Sequence, residues 1–286
     1  STPSRRSAAP DIHAAPKRTI LEMARAAERL EGVDIVDAHA HISETPPGRI
    51  WPQNAADLVE DMERCGIGSA VVSHLAALTA HSANDVAAAH VSAARAAAQF
   101  PKRLRAYVVF HPHHLEQSLR DLDLILAPGS PFMGIKLHGA FHNYPADGPN
   151  YRPAWEFAER HRLTVLYHVG GMGRDWSGAV AEIADRYPNL KMIFAHLAPG
   201  EERIVKLFKG RPNLHTDTCL STGRYLQVER IVRSVGPERV VFATDGGYNS
   251  CVAGFGKLIF ADLPDDVKRI ILGGNARRLF GSRLPA

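Results

Sequence analysis

A (β/α)8 barrel in a single α/β domain is the fold the sequence predicts, and three observations lead to it. The chain has 286 residues, close to the roughly 250 such a barrel needs. Short apolar runs alternate with amphipathic stretches along most of its length. The histidines and aspartates within these runs collect at their C-terminal ends, where a barrel gathers its catalytic groups.

The elements follow in order. The run Val33–His39 precedes the helical pattern Asn54–Cys65, which opens on an N-cap asparagine and stops before Gly66. Ser69–His74 leads into the alanine-rich Ser82–Gln99, ended by Pro101. Leu104–Phe110 pairs with His114–Leu126, and Phe132–His138 with Pro153–His161. Leu163–Val169 is followed by Ser177–Tyr187, and Leu190–His196 by Glu201–Lys209. Asn213–Thr218 precedes Leu226–Val235, and Arg239–Asp245 is the last run. Asp265–Leu272 and Asn275–Phe280 read as terminal helices. The runs are rich in β-branched and aromatic residues and nearly continuous in apolarity, as parallel strands covered on both faces read.

The same alternation suits a doubly wound open sheet. No GxGxxG follows the first run, which removes the dinucleotide-binding variant of that fold. His39, His74, His138, His168, His196 and Asp245 lie at or near run ends. A barrel brings those ends to one mouth, whereas an open sheet spreads them along an edge, so the barrel is expected. The barrel spans 33–281, after a leader at 1–32, partly disordered or helical, and before a tail at 282–286.

Composition narrows the function. Hydrophobic residues make up 45% and charged residues 22%, in the range of a globular enzyme with a packed core. The net charge of +4 comes from 34 basic and 30 acidic residues that are interspersed, which argues for a solvated surface and against a nucleic-acid partner. Cys65, Cys219 and Cys251 form no CxxC pair, so a reducing, cytoplasmic setting is expected. No apolar run approaches a membrane span of about 18 residues. The stretch Ser1–Pro16 has no apolar core and is not an intact signal peptide. A homodimer, the commonest assembly of soluble proteins, is the expected oligomeric state.

The sharpest local signal is Asp37-Ala38-His39-Ala40-His41. Histidines two apart on a strand face one side, so both imidazoles can reach one ion. An HxH pattern alone is weak, because a buried structural histidine explains it equally well. It gains force from His168, His196 and Asp245, each closing a later apolar run.

This spread over runs one, five, six and eight resembles the amidohydrolase superfamily, and more narrowly its amidohydrolase-2 branch of metal-dependent hydrolases and decarboxylases. Gly134-Ile135-Lys136-Leu137-His138 and Gly273-Gly274-Asn275-Ala276 support the narrower likeness, which covers roughly residues 33 to 281. The resemblance implies that His39, His41, His168 and Asp245 ligate one divalent metal, with zinc favoured and manganese, iron or cobalt tolerated. It also implies that His196 acts on the substrate or the bound water. Around His196 and Asp245 the chain reads Ala-His-Leu-Ala-Pro and Ala-Thr-Asp-Gly-Gly, departures that keep the ligands and unsettle any transfer of substrate.

Lys136 and His138 lie two apart on one strand face and are expected to point into the pocket and bind an anionic substrate group. Two other readings of Lys136 stand beside this: an ion pair inside the barrel, and a carbamate bridging two metals as in other branches of the superfamily. Arg174 and Trp176 in the glycine-rich loop after the fifth run, His142 in the loop after the fourth, and Arg224 after the seventh are further candidate substrate contacts. The leading expectation is a hydrolase that uses metal-bound hydroxide on an ester, lactone or amide of a small carboxylate-bearing molecule. His196 and Asp245 would manage its protons. The alternative is a metal-dependent non-oxidative decarboxylase of an aromatic or unsaturated carboxylic acid. A non-catalytic barrel is the remote third.

Overall fold

A computed structural model describes residues 18–44, 54–168, 177–196, 201–219 and 224–285. Eight strands lie in one sheet in sequence order, each parallel to the next. They are β1 (Val36–Ile42), β2 (Ser69–His74), β3 (Leu104–Val109), β4 (Phe132–His138), β5 (Thr164–His168), β6 (Lys191–Phe194), β7 (Leu214–Asp217) and β8 (Val240–Val241). Helix α1 (Ile20–Arg25) precedes β1, and α2 (Ala55–Arg64), α3 (Leu75–Leu78), α4 (Ala83–Gln99) and α5 (Leu115–Asp121) occupy the first crossovers. Then come α6 (Arg152–His161), α7 (Ser177–Arg186), α8 (Glu201–Phe208) and α9 (Gln227–Val235). After β8 the chain forms α10 (Cys251–Ile259), α11 (Asp265–Arg269), one π-helical turn and α12 (Asn275–Phe280).

The barrel closes between β1 and the segment after β8. The Ala38 N–H donates to Phe242 O, Asp245 N–H to His39 O, and His41 N–H to Gly246 O. Asp37, fully buried, fastens this seam by accepting from the backbone N–H groups of His39 and Thr244 and from the Thr244 hydroxyl. This closure explains two shifts from the sequence reading. The first strand runs Val36–Ile42 rather than Val33–His39, because the seam extends pairing past His41 and a register irregularity lies between Asp37 and Ala40. The last regular strand is only Val240–Val241, since Asp245 turns the chain at φ 61°.

Helix α10 is absent from the sequence reading, because Gly254 and Gly256 weaken its helical signal. Gly254 is needed for packing: a Cβ there would sit 2.7 Å from Thr244 Cα, inside the seam. Ser250 caps the helix through Val252 N–H.

Two cores result. Most apolar residues pack between the strands and their helices. A smaller core inside the barrel joins Val36, Tyr107, Leu166 and Val241 to Leu279, Phe280 and Leu284 of the C-terminal segment. Thr164 and Lys191, at the starts of β5 and β6, both donate to Leu279 O. The C-terminal segment therefore plugs the end where strands begin, leaving the opposite mouth for polar groups. Upstream, α1 is held by a Thr19–Glu22 capping box and buries Ile20, whose N–H donates to Asp265. Among the described residues, no helix is long and apolar enough to cross a membrane, and the three cysteines are free and buried.

Candidate active site

The strand ends supply the site residues. His39 and His41, two apart on β1, share a strand face, and their rings lie 5.1 Å apart. Asp245 Oδ1 reaches both, at 3.5 Å from His39 Nε2 and 3.0 Å from His41 Nε2. His41 Nδ1 is held by the Ser73 hydroxyl of β2 at 2.9 Å. Asp245 Oδ2 accepts from the Asn249 carboxamide at 2.7 Å. Despite burial, the hydrogen bond with His41 and the surrounding imidazoles hold Asp245 well below the usual carboxylate range.

Lys136 of β4 is completely buried and places Nζ 2.8 Å from His39 Nε2. Burial pushes its ammonium down to about 8, against the pull of Asp245 and Asp217. Burial, then the Lys136 charge, keeps His39 well below its ordinary value, so its ring is neutral. His138, two residues on, stacks on His168 at 3.8 Å and on Phe141 at 4.1 Å. The expected shared face of Lys136 and His138 is what the strand provides.

His168 and His196 form a bonded pair, with His168 Nδ1 2.9 Å from His196 Nε2. One ring must donate and the other accept. Burial is the first cause of the lowered pKa of each. His196 sits just past β6 at φ 70°, in the left-handed region that a non-glycine residue occupies only at a cost. Its N–H donates to Asp217 Oδ1 at 2.7 Å.

Among the described residues, the donor atoms of His39, His196 and Asp245 converge within 4.8 Å of one another, and so do those of His39, Asp217 and Cys219. The first set fits a divalent cation: two imidazole nitrogens and a carboxylate oxygen. In the second set Asp217 Oδ2 lies 2.9 Å from His39 Nδ1, a hydrogen-bond distance.

The structure thus brings together His39, His41, His168, His196, Asp245, Lys136 and His138. His142 stands a layer behind, with its ring 6.4 Å from that of His138, 4.1 Å from that of His111, and Nδ1 2.5 Å from the Tyr151 hydroxyl. Arg224 is exposed, and its N–H donates to Gln227 Oε1. Arg174 and Trp176 lie outside the described residues. Asp217 and Asn249 are contacts the sequence reading missed. Asp217 closes a short run already broken by His215, so apolarity did not mark it, although its place at a strand end was a usable signal.

Comparison with known proteins places the fold. The family model described as Amidohydrolase matches residues 36–282. No curated protein matches the chain by sequence. Among solved structures, 5-carboxyvanillate decarboxylase from Sphingomonas paucimobilis superposes with a TM-score of 0.68 at 17% identity, covering 87% of this chain and 99% of that one. The 2,6-dihydroxybenzoate decarboxylase from Rhizobium gives 0.68 at 17% identity, over 87% and 98% of the two chains. A dihydroxybenzoic acid decarboxylase from Polaromonas sp. JS666, with bound manganese and the inhibitor 2-nitroresorcinol, gives 0.68 at 17% identity, over 87% and 97%. At this identity the likeness establishes the barrel fold.

Proposed function

The chain belongs to the amidohydrolase family, and from that premise we propose that it is a metal-dependent, non-oxidative decarboxylase of a small aromatic or unsaturated carboxylic acid. One observation carries the choice over hydrolysis. The mouth of the barrel is lined by Lys136 and by imidazoles, with Asp245 facing them and both of its oxygens engaged, Oδ1 by His41 and Oδ2 by Asn249. Such a surface favours an anionic substrate such as a carboxylate. The solved decarboxylases with the same fold support this choice, which inverts the order of the sequence reading.

In this proposal His39, His41, His168 and Asp245 hold the cation. Manganese is as suitable as zinc for this donor set, and the Polaromonas structure carries manganese. When bound, the cation would supply Lewis-acid polarisation of the substrate's carboxylate. Lys136 adds positive charge on the β4 side. The stacked rings of Phe141, His138 and His168 form an aromatic column beside the site. His196 delivers a proton to the carbon that bears the carboxylate. The bond from that carbon to the carboxylate then breaks, its electron pair returns to the ring or alkene, and CO2 leaves.

A panel of hydroxybenzoates, an unsaturated acid, and simple esters and lactones tests the proposal with manganese-loaded protein. CO2 release from an acid, without ester or lactone opening, is the expected result. Opening of an ester or lactone with no CO2 from any acid would restore the hydrolase reading.

A further inference from the structure

We propose that Asp217, at the end of β7, is the positioning residue of this site, fixing the His39 tautomer and the backbone pose of His196 with one carboxylate. Asp217 is completely buried. Its Oδ2 lies 2.9 Å from His39 Nδ1, while Oδ1 accepts from His196 N–H at 2.7 Å and Cys219 N–H at 3.1 Å. A single side chain thus ties the site residues of β1 and β6 to β7.

The tautomer follows from the two partners of His39. A neutral imidazole carries one N–H and one lone pair. Nδ1 faces a carboxylate that can only accept, and Nε2 faces the Lys136 ammonium, which can only donate, at 2.8 Å. The proton therefore sits on Nδ1, and the lone pair of Nε2 is left on the side of Lys136 and Asp245. That is the form a cation needs from this ring, and an outer carboxylate on the far nitrogen is how metal-binding histidines are oriented.

The substitution Asp217→Asn separates this role from simple support. Its carboxamide oxygen continues to accept from His196 and Cys219 N–H, which leaves the amide NH2 against His39 Nδ1. That donor turns Nδ1 into the acceptor and drives the proton onto Nε2, into the cation's place. Loss of an outer partner of this kind weakens metal binding by about 10- to 100-fold.

The inference rests on the metal reading given above, so the test separates the two. Manganese affinity of the full-length protein is measured by titration calorimetry, alongside the melting temperature before metal addition. Asp217→Asn is expected to bind about 10- to 100-fold more weakly with that melting temperature unchanged. Wild-type affinity in the variant overturns the proposal, as does an affinity loss matched by a fall in melting temperature. A second measurement needs no foldable variant. In ¹⁵N-histidine-labelled wild-type protein, with His39 identified by comparison with His39→Gln, the spectrum before zinc loading should show the Nδ1–H tautomer. An Nε2–H tautomer overturns the role of Asp217. A wild-type chain that takes up no cation defeats the metal reading instead, and the tautomer still decides the role of Asp217.

Discussion

Replacing His196 by asparagine isolates the proton-carrying role assigned to that residue. His196 occupies φ 70°, a conformation that costs an ordinary residue about 1–2 kcal/mol and that asparagine tolerates best after glycine. Asparagine therefore keeps the backbone, and with it the 2.7 Å bond from residue 196 N–H to Asp217. What disappears is the imidazole 2.9 Å from His168 Nδ1. A positioned general acid contributes about 10²- to 10⁴-fold, or about 2.7–5.5 kcal/mol of barrier at ~1.36 kcal/mol per decade. The assay is initial CO2 release at saturating acid, with metal content by mass spectrometry and a thermal melt on the same sample. The prediction is a fall in kcat of that size, with bound metal retained and the melt unchanged. Turnover within about threefold of wild type would refute the proton role, since a general acid is worth far more. Loss of metal together with turnover would refute the division of labour. It would put His196, already converging with His39 and Asp245, among the ligands and pass the proton to His168.

Three further perturbations probe the surroundings. Lys136→Met removes the ammonium beside His39; losing a charged hydrogen bond to the substrate's anionic group, about 1.5–3 kcal/mol, should raise KM about tenfold or more. An unchanged KM would remove Lys136 from substrate binding. Gly247→Ala places a Cβ against His41 O at φ +83°, so manganese affinity should fall about tenfold or more as His41 shifts, a ligand-sized loss. Circular dichroism should remain that of the folded barrel, and wild-type affinity would show that the seam does not set His41. His215 is buried, and burial, then the charges of Arg239 and Arg278, push its imidazole down to about 3 from 6.5. The unfolded chain then binds the extra proton below pH 6.5, so stability is lost as pH falls from 6.5 toward 3, by about 3 kcal/mol at pH 4.5. His215→Leu should melt about 5 °C higher relative to wild type at pH 4.5 than at pH 7.5, and equal differences at both would contradict the linkage.

Much of the site was legible because barrel chemistry sits at strand ends, and His39, His168, His196 and Asp245 each close an apolar run. The seam bonds that hold His39 and His41 join β1 to a segment about two hundred residues away, which no local pattern encodes. Helix α10 was hidden because Gly254 and Gly256 are costly in an isolated helix, and Gly254 is required by its close approach to Thr244. Asp217 escaped because its run, Asn213–Thr218, alternates polar residues and resembles a half-buried strand. Its importance lies in contacts with β1 and β6, and those exist only in the folded barrel. The choice between hydrolysis and decarboxylation was not legible, because the ligand residues are common to both. It turns on which substrate the mouth accepts, and the ligand residues do not encode that.

The most direct test is turnover of the active acid by manganese-loaded protein in D2O, with CO2 measured and the organic product analysed by mass spectrometry. Decarboxylation predicts one CO2 released per product and one deuterium on the carbon that carried the carboxylate. Release of a retained carboxylic acid with no carbon-bound deuterium and no CO2 would contradict the account.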